Sequence, residues 1–276
     1  LDHEGYTQAD DYKGDLKPKM SLNALMRRKG DFTPEDIEYL KDLQREEVAF
    51  TDHHISRLIE HLKSLGKYQD TIIVITADHG EEFMEHTSLG HTETLFDELL
   101  HIPLIFHAPG RVRALVDNTP VNLLDVAPTV FELATGETIK KARGASLAKS
   151  ILAGEKAGLE RDLFAEVAYR QVSQGDRLQP NLIAVMSPDG YKLIHDRGRS
   201  RWMLYNLNND PEEKVNLATV EVDRVIELKK KLAKLEALHD AGLKPVEEDR
   251  DIANEEPSES NLSPDGLKNL KSLGYL

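Results

Sequence analysis

The stretch Thr71-Ile72-Ile73-Val74-Ile75-Thr76-Ala77-Asp78-His79-Gly80-Glu81 decides the fold. Its first six residues are an unbroken β-branched run. A strand with one wet face alternates apolar and polar residues. A continuous run is the pattern of a strand buried on both faces, as in a parallel sheet covered by helices. We therefore expect Thr71–Thr76 to be a central strand, inaccessible on both faces, of a mostly parallel sheet flanked by helices. The fold class is α/β. Ligands in open α/β sheets collect beyond the carboxyl ends of the strands. Asp78 and His79 stand there, before a glycine that permits a sharp turn.

Upstream of this strand, Thr33-Pro34-Glu35-Asp36 opens a helix. Thr33 is a capping residue, proline suits the first turn, and the acids favour the positive end. Ile37, Leu40, Leu43, Val48, Ile55, Leu58, Ile59, Leu62 and Leu65 follow, and Gly66 supplies the stop. Residues 1–32 are polar and turn-rich and read as extended loop. Downstream, Ile102–Phe106 is a second short strand, and Val121–Ala134 a helix closed by Gly136.

The texture changes near residue 160. Leu163–Tyr169, Leu182–Met186, Tyr191–His195 and Met203–Leu207 are short strand candidates, the middle two joined by the turn Ser187-Pro188-Asp189-Gly190. A helix follows with Val225, Leu228, Leu232 and Leu235 on one stripe. The expected organisation is an α/β part over residues 1–160, an antiparallel α+β subdomain over 161–245, and an acidic linker with a terminal helix over 246–276, that helix opened by Ser263-Pro264-Asp265.

Composition narrows the function classes. Of 276 residues, 39% are hydrophobic and 30% charged, a soluble globular balance. The 35 Lys and Arg against 49 Asp and Glu give a net charge of −14, which disfavours nucleic acid as a partner. No apolar run approaches the ~20 residues of a membrane-spanning helix. The absence of cysteine excludes disulfides, thiolate metal sites and a cysteine nucleophile within these residues. Leu1–Asp31 contain no signal-peptide pattern. An opening leucine is what a processed or truncated chain would show.

Five of the eleven histidines (His79, His86, His91, His101 and His107) fall within residues 79–107. Asp78 and His79 offer oxygen and nitrogen to one cation, a pairing that suits Ca²⁺, Mg²⁺, Mn²⁺ or Zn²⁺ over a soft metal. Equally, they could cap a following helix. His91, after Gly90, is either a donor or proton shuttle in a cleft or a surface loop residue. His86, beside Glu85, reads as a structural hydrogen-bonding group. His101 and His107 flank a strand and read as structural too. Thr51-Asp52-His53-His54 resembles the D-H-H motif of phosphoesterases that bind two Mn²⁺, but it lies inside a helical pattern and is assigned to the helix.

Several segments, in order, resemble the sulfatases of the alkaline phosphatase superfamily. Thr76-Ala77-Asp78-His79-Gly80-Glu81, Leu89-Gly90-His91 and Asp97-Glu98-Leu99-Leu100-His101-Ile102-Pro103-Leu104-Ile105 are similar to that family's second metal motif and following strand. Glu47–Asp52 resembles the helix before it. Asn122-Leu123-Leu124-Asp125-Val126-Ala127-Pro128-Thr129 resembles its D-x-x-P-T helix, and Gly144-Ala145-Ser146-Leu147 its G-x-S-L. Asp189–Leu193, Leu204–Leu207, Asp210-Pro211-Glu212-Glu213 with Asn216-Leu217, and the ending Leu273-Gly274-Tyr275-Leu276 resemble its C-terminal part. The likeness runs from about residue 34 to residue 276.

The resemblance implies an alkaline-phosphatase-like fold, present in part, and sulfate ester hydrolysis by the intact protein. It implies a divalent cation, calcium before magnesium, manganese or zinc, with Asp78 and His79 among its ligands. A formylglycine nucleophile is expected upstream, because no C/S-x-P-x-R occurs here. His91 falls near a position where relatives carry a lysine that contacts sulfate or the leaving oxygen. We expect it to be catalytic, facing substrate and not the metal. The substrate would be a small-molecule or glycan sulfate ester, and the compartment periplasmic or extracellular. A phosphodiesterase or phosphonate monoester hydrolase of the same superfamily is the alternative, or a non-catalytic binding fragment. This chain alone is expected to be inactive.

Overall fold

The structure is a computed structural model and describes residues 12–17, 20, 24–25, 28, 31–91, 94–167 and 182–242. The acidic stretch 246–260 and the helix expected from residue 263 lie outside the described residues. Leu1–Lys229 form one compact unit and Lys230–Leu276 a second.

Helix α1 runs unbroken from Pro34 to Ser64. Thr33 Oγ1 accepts from the Asp36 amide at 3.1 Å, and the Asp36 carboxylate accepts from the Thr33 amide at 2.9 Å. Burial pushes the Asp36 carboxyl up, but hydrogen bonds from Tyr12 and Thr33 and the nearby Arg28 outweigh it and hold it below the usual range. Only the first turns of α1 are buried. Tyr39, Leu40 and Leu43 pack with Leu16, Leu25 and Leu89, while Val48, Phe50 and Leu58 are exposed.

Strand β1 (Ile73–Thr76) pairs with β4 (Leu104–His107), and the pairing is antiparallel, with Ile73 opposite His107 and Thr76 opposite Leu104. The two make a two-stranded sheet in which β1 is half-buried and Thr76 exposed. The expected central strand of a mostly parallel sheet is not seen among the described residues, where β1 pairs with β4 alone. An apolar run states that both faces favour burial; it does not name the neighbours. Here the chain folds back on itself between residues 77 and 103, which makes the return strand antiparallel. All strand pairs among the described residues are antiparallel.

Between them lie a short hairpin, β2 (Glu82–Phe83) with β3 (Leu89–Gly90), and the single turn α2 (Asp97–Leu100). Helices α3 (Val126–Thr135) and α4 (Ala148–Ala153) follow β4. The D-x-x-P-T and G-x-S-L segments clamp them together. Fully buried Asp125 accepts from the amides of Asn122 at 2.8 Å and Ala145 at 2.7 Å and pairs with Arg161. Thr129 Oγ1 donates to the Asp125 carbonyl and accepts from the Leu147 amide. A Cβ on Gly144 would stand 2.0 Å from the Leu124 carbonyl oxygen, so only glycine fits.

The C-terminal sheet is antiparallel in the order β5 (Leu163–Val167), β6 (Leu182–Met186), β7 (Tyr191–Asp196), β8 (Arg201–Asn206). One face presents Leu182, Ala184, Ile194, Met203 and Tyr205 to Leu95 and Phe96, next to α2. Helix α5 begins at Val222 and continues to Gly242. Its Arg224 guanidinium lies 4.5 Å over the Tyr191 ring, and Lys229 lies 4.0 Å over Trp202. Val225, Leu228 and Leu232 are buried; the Leu235 side chain is outside the described set.

A buried ion cluster joins this sheet to α2. Lys192, 1% exposed, places Nζ 2.8 Å from Asp97 Oδ1 and 2.9 Å from Glu213 Oε1. Glu213 Oε2 accepts from the Asp97 amide at 2.7 Å. Burial lifts the Glu213 carboxyl above its ordinary range, against the pull of Lys192. Lys192→Met strands that carboxylate. Urea unfolding at pH 7 should show a loss of about 3–5 kcal/mol, the usual cost of breaking a buried pair from one side. Adding Glu213→Gln should recover part of it. A Lys192→Met protein as stable as the wild type would mean the cluster does not bind the sheet to α2.

Candidate functional site

The polypeptide leaves β1 at Thr76, whose hydroxyl donates to the Pro103 carbonyl at 2.8 Å. Asp78 follows with its side chain 89% exposed. Its Oδ1 accepts from the His79 amide at 3.1 Å, and Oδ2 lies 3.6 Å from His79 Nε2. The Gly80 amide donates to the Leu99 carbonyl at 2.9 Å, tying the turn to α2. A Cβ at Gly80 would sit 1.9 Å from the Glu98 carbonyl oxygen, so a larger residue would push the turn off α2. Asp78 and His79 do not cap a helix: Gly80 leads into the β2–β3 hairpin.

That hairpin brings in His91. Glu82 pairs with Gly90, so Glu81 and His91 stand opposite each other one step beyond. His91 Nδ1 lies 2.8 Å from Glu81 Oε2. The His91 and His79 rings stack, with centroids 4.2 Å apart and planes 23° from parallel. The structure thus gathers Asp78, His79 and His91 at one place and adds Glu81, which sequence reasoning passed over. The available signal was the hairpin itself, since two strands folded around a short turn put residues ten apart face to face.

The donor set suits a divalent cation. Ligating atoms of His79, Glu81 and His91 all lie within 4.8 Å of one another. His79 Nδ1 is 2.8 Å from the Gly80 carbonyl, which can only accept, so Nδ1 donates there and Nε2 faces the Asp78 carboxylate.

His86 and His107 make structural contacts. His86 stacks on Phe96 with centroids 3.7 Å apart and directs Nε2 to the Glu212 carbonyl at 3.1 Å. Its partner is therefore not Glu85, which pairs with Lys41 at 2.8 Å. His107 contacts the Tyr68 hydroxyl at 2.6 Å, and His101 ends α2 in an exposed position. His53 and His54 lie exposed on α1.

Comparison with known proteins places these features in a family. A sulfatase family model matches residues 8–136, and a model described as N-sulphoglucosamine sulphohydrolase, C-terminal, matches residues 85–238. Arylsulfatase K of Mus musculus is 28% identical over 69% of this chain and 34% of its own length. An N-acetylglucosamine-6-O-sulfatase of Bacteroides thetaiotaomicron is 29% identical over 74% of this chain and 35% of its own. The crystal structure of a phosphonate monoester hydrolase of Agrobacterium radiobacter aligns at a TM-score of 0.62 and 27% identity, over 76% of this chain and 43% of that one. The chain spans about a third of the length of the curated relatives it matches.

Beneath the cluster, Glu82 is fully buried and accepts from the Thr94 hydroxyl at 2.7 Å. Burial lifts its carboxyl above the usual range; the Thr94 hydrogen bond opposes this, and the Glu98 carboxylate adds to it. A carboxyl raised in the folded state contributes its full stability below the unfolded value and loses it as pH rises through the folded one. Glu82→Gln removes that loss. Its melting temperature should exceed the wild type's at pH 7, and the gain should vanish below the ordinary glutamate value of 4.5. A variant less stable than wild type at pH 7 would show that the charged form is the favoured one.

Proposed function

The chain belongs to the sulfatase family, and from that premise we propose that the intact protein hydrolyses sulfate esters, with this chain supplying part of the cation site. The observation that supports the reading most is the convergence of Asp78, His79, Glu81 and His91 beyond the carboxyl end of β1. A sulfated sugar is the substrate class we favour, in keeping with the sulfatase relatives.

Each residue has work to do in that reaction. Asp78 and His79 would hold the divalent cation, one through its exposed carboxylate and the other through its imidazole. When bound, the cation draws charge from the sulfate oxygens as it builds up. Gly80, through its bond to Leu99, keeps both ligands on the same side of the turn. The nucleophile is expected from a formylglycine elsewhere in the intact protein.

The likeness to a phosphonate monoester hydrolase makes ester choice the decisive measurement. Purified intact protein should turn over nitrophenyl sulfate with a higher kcat/KM than nitrophenyl phenylphosphonate or a phosphodiester. The reverse order would move the protein to the phosphoester branch. Asp78→Ala in the same protein should lower kcat/KM by at least about 10²-fold and weaken metal retention. Full activity with metal retained would remove Asp78 from the site.

A further inference from the structure

We propose that the β7–β8 turn, with Lys229 of α5 beside it, is a docking surface for a sulfated glycan chain, separate from the residues that meet the ester. The inference deepens the sulfate-ester reading and rests on it for the class of anion.

The fold concentrates positive charge at this turn. Residues 195–202 read His-Asp-Arg-Gly-Arg-Ser-Arg-Trp, and Asp196 is the one acid among them. Asp196 is 1% exposed, and Arg199 takes up both its oxygens. The Arg199 amide donates to Oδ1 at 2.9 Å, and the guanidinium donates to Oδ2 at 3.0 Å. What faces water is therefore basic: 58% of the Arg199 side chain is exposed, and Arg201 is exposed too. The turn is also tight. The Ser200 amide donates to the Arg197 carbonyl at 3.4 Å, and Ser200 takes a left-handed φ of 49°. Asp196 pairs with Arg201 across the ladder, so Arg197, Arg199 and Arg201 are held at one hairpin end.

Helix α5 adds a further cation. His195 and Trp202 are partners across β7 and β8, and their rings stack with centroids 3.7 Å apart and planes 5° from parallel. Lys229 Nζ lies 4.0 Å from the Trp202 ring centroid. The indole is thus a prop that fixes an ammonium next to Arg201, in place of a lysine free to wander.

The chemistry selects the partner. Guanidinium forks match the oxygens of sulfate and phosphate in pairs. The chain as a whole carries a net charge of −14, so a long stiff polyanion or an anionic bilayer would lay most of its charge against acidic surface. A short, flexible sulfated glycan covers the basic turn alone. Held there, it presents its sulfated ends to the intact protein at a raised effective concentration.

Trp202 is the chain's single tryptophan and reports on the turn directly. A sulfated hexasaccharide titrated into the full chain at low salt should change its fluorescence and shift its indole ¹⁵N–H resonance saturably. The desulfated hexasaccharide should do neither. Arg197→Gln combined with Arg201→Gln should weaken binding at least about tenfold, since each loses a charge-assisted contact. Lys140→Gln combined with Lys141→Gln, an equal charge change on another exposed loop, should leave binding unchanged. A hexasaccharide that leaves Trp202 unmoved overturns the inference without any variant. Equal losses in the two double variants also overturn it, as does tighter binding of a DNA oligomer or of anionic phospholipid vesicles. The ester reading fails separately. No turnover of nitrophenyl sulfate by the intact protein, with the hexasaccharide still bound at Trp202, would remove that reading and leave a glycan-binding surface. Normal turnover without binding at the turn would overturn this inference alone.

Discussion

Lys192 places an ammonium out of reach of water between the carboxylates of Asp97 and Glu213. Such a charge is stable only if its partners stay where they are. Its partners come from separate segments: Lys192 from β7, Asp97 from the start of α2, and Glu213 from the loop after β8. Glu213 sits at φ 52, a left-handed conformation that costs a non-glycine residue about 1–2 kcal/mol. It is held there by the Asp97 amide and the Lys192 amine. The Asp-Pro-Glu-Glu segment is therefore architectural.

The proposed cation ligands take their positions from this cluster. The α2 turn that Asp97 opens also provides the Leu99 carbonyl that receives the Gly80 amide. The loop carrying Glu213 also grips the β2–β3 hairpin: His86 points to the Glu212 carbonyl, and Lys214 Nζ donates to the Glu85 carbonyl at 3.1 Å. Both flanks of the site, the Asp78–Gly80 turn and the hairpin bearing Glu81 and His91, are thus fastened to the C-terminal sheet. The C-terminal sheet thus orients residues that precede its first strand by more than seventy positions.

What the sequence disclosed follows from which signals are local. The Thr33 cap, the Pro34 start and the Ser187–Gly190 turn depend on neighbours in the chain and are present in the structure. Asp78, His79 and His91 stood out as chemistry-bearing residues after a strand, and the structure brings them together. The partnering of β1 was not legible, because the run Thr71–Thr76 encodes burial on two faces and not the direction of the strand beside it. Glu81 was missed because its meaning lies in facing His91 across a hairpin only two residue pairs long. Lys192 carries no local signal of its partners, since nothing near it predicts that its amine meets residues 95 positions before it and 21 after it.

On this reading the buried ion cluster holds the proposed cation ligands in place. Hydrogen exchange at single amides tests it most directly, comparing wild type with Lys192→Met under native conditions. Loss of the cluster should speed exchange at the Gly80, Met84 and Asp97 amides and leave the β1–β4 ladder unchanged. Unaltered protection at Gly80 in a variant that has lost the cluster would contradict it.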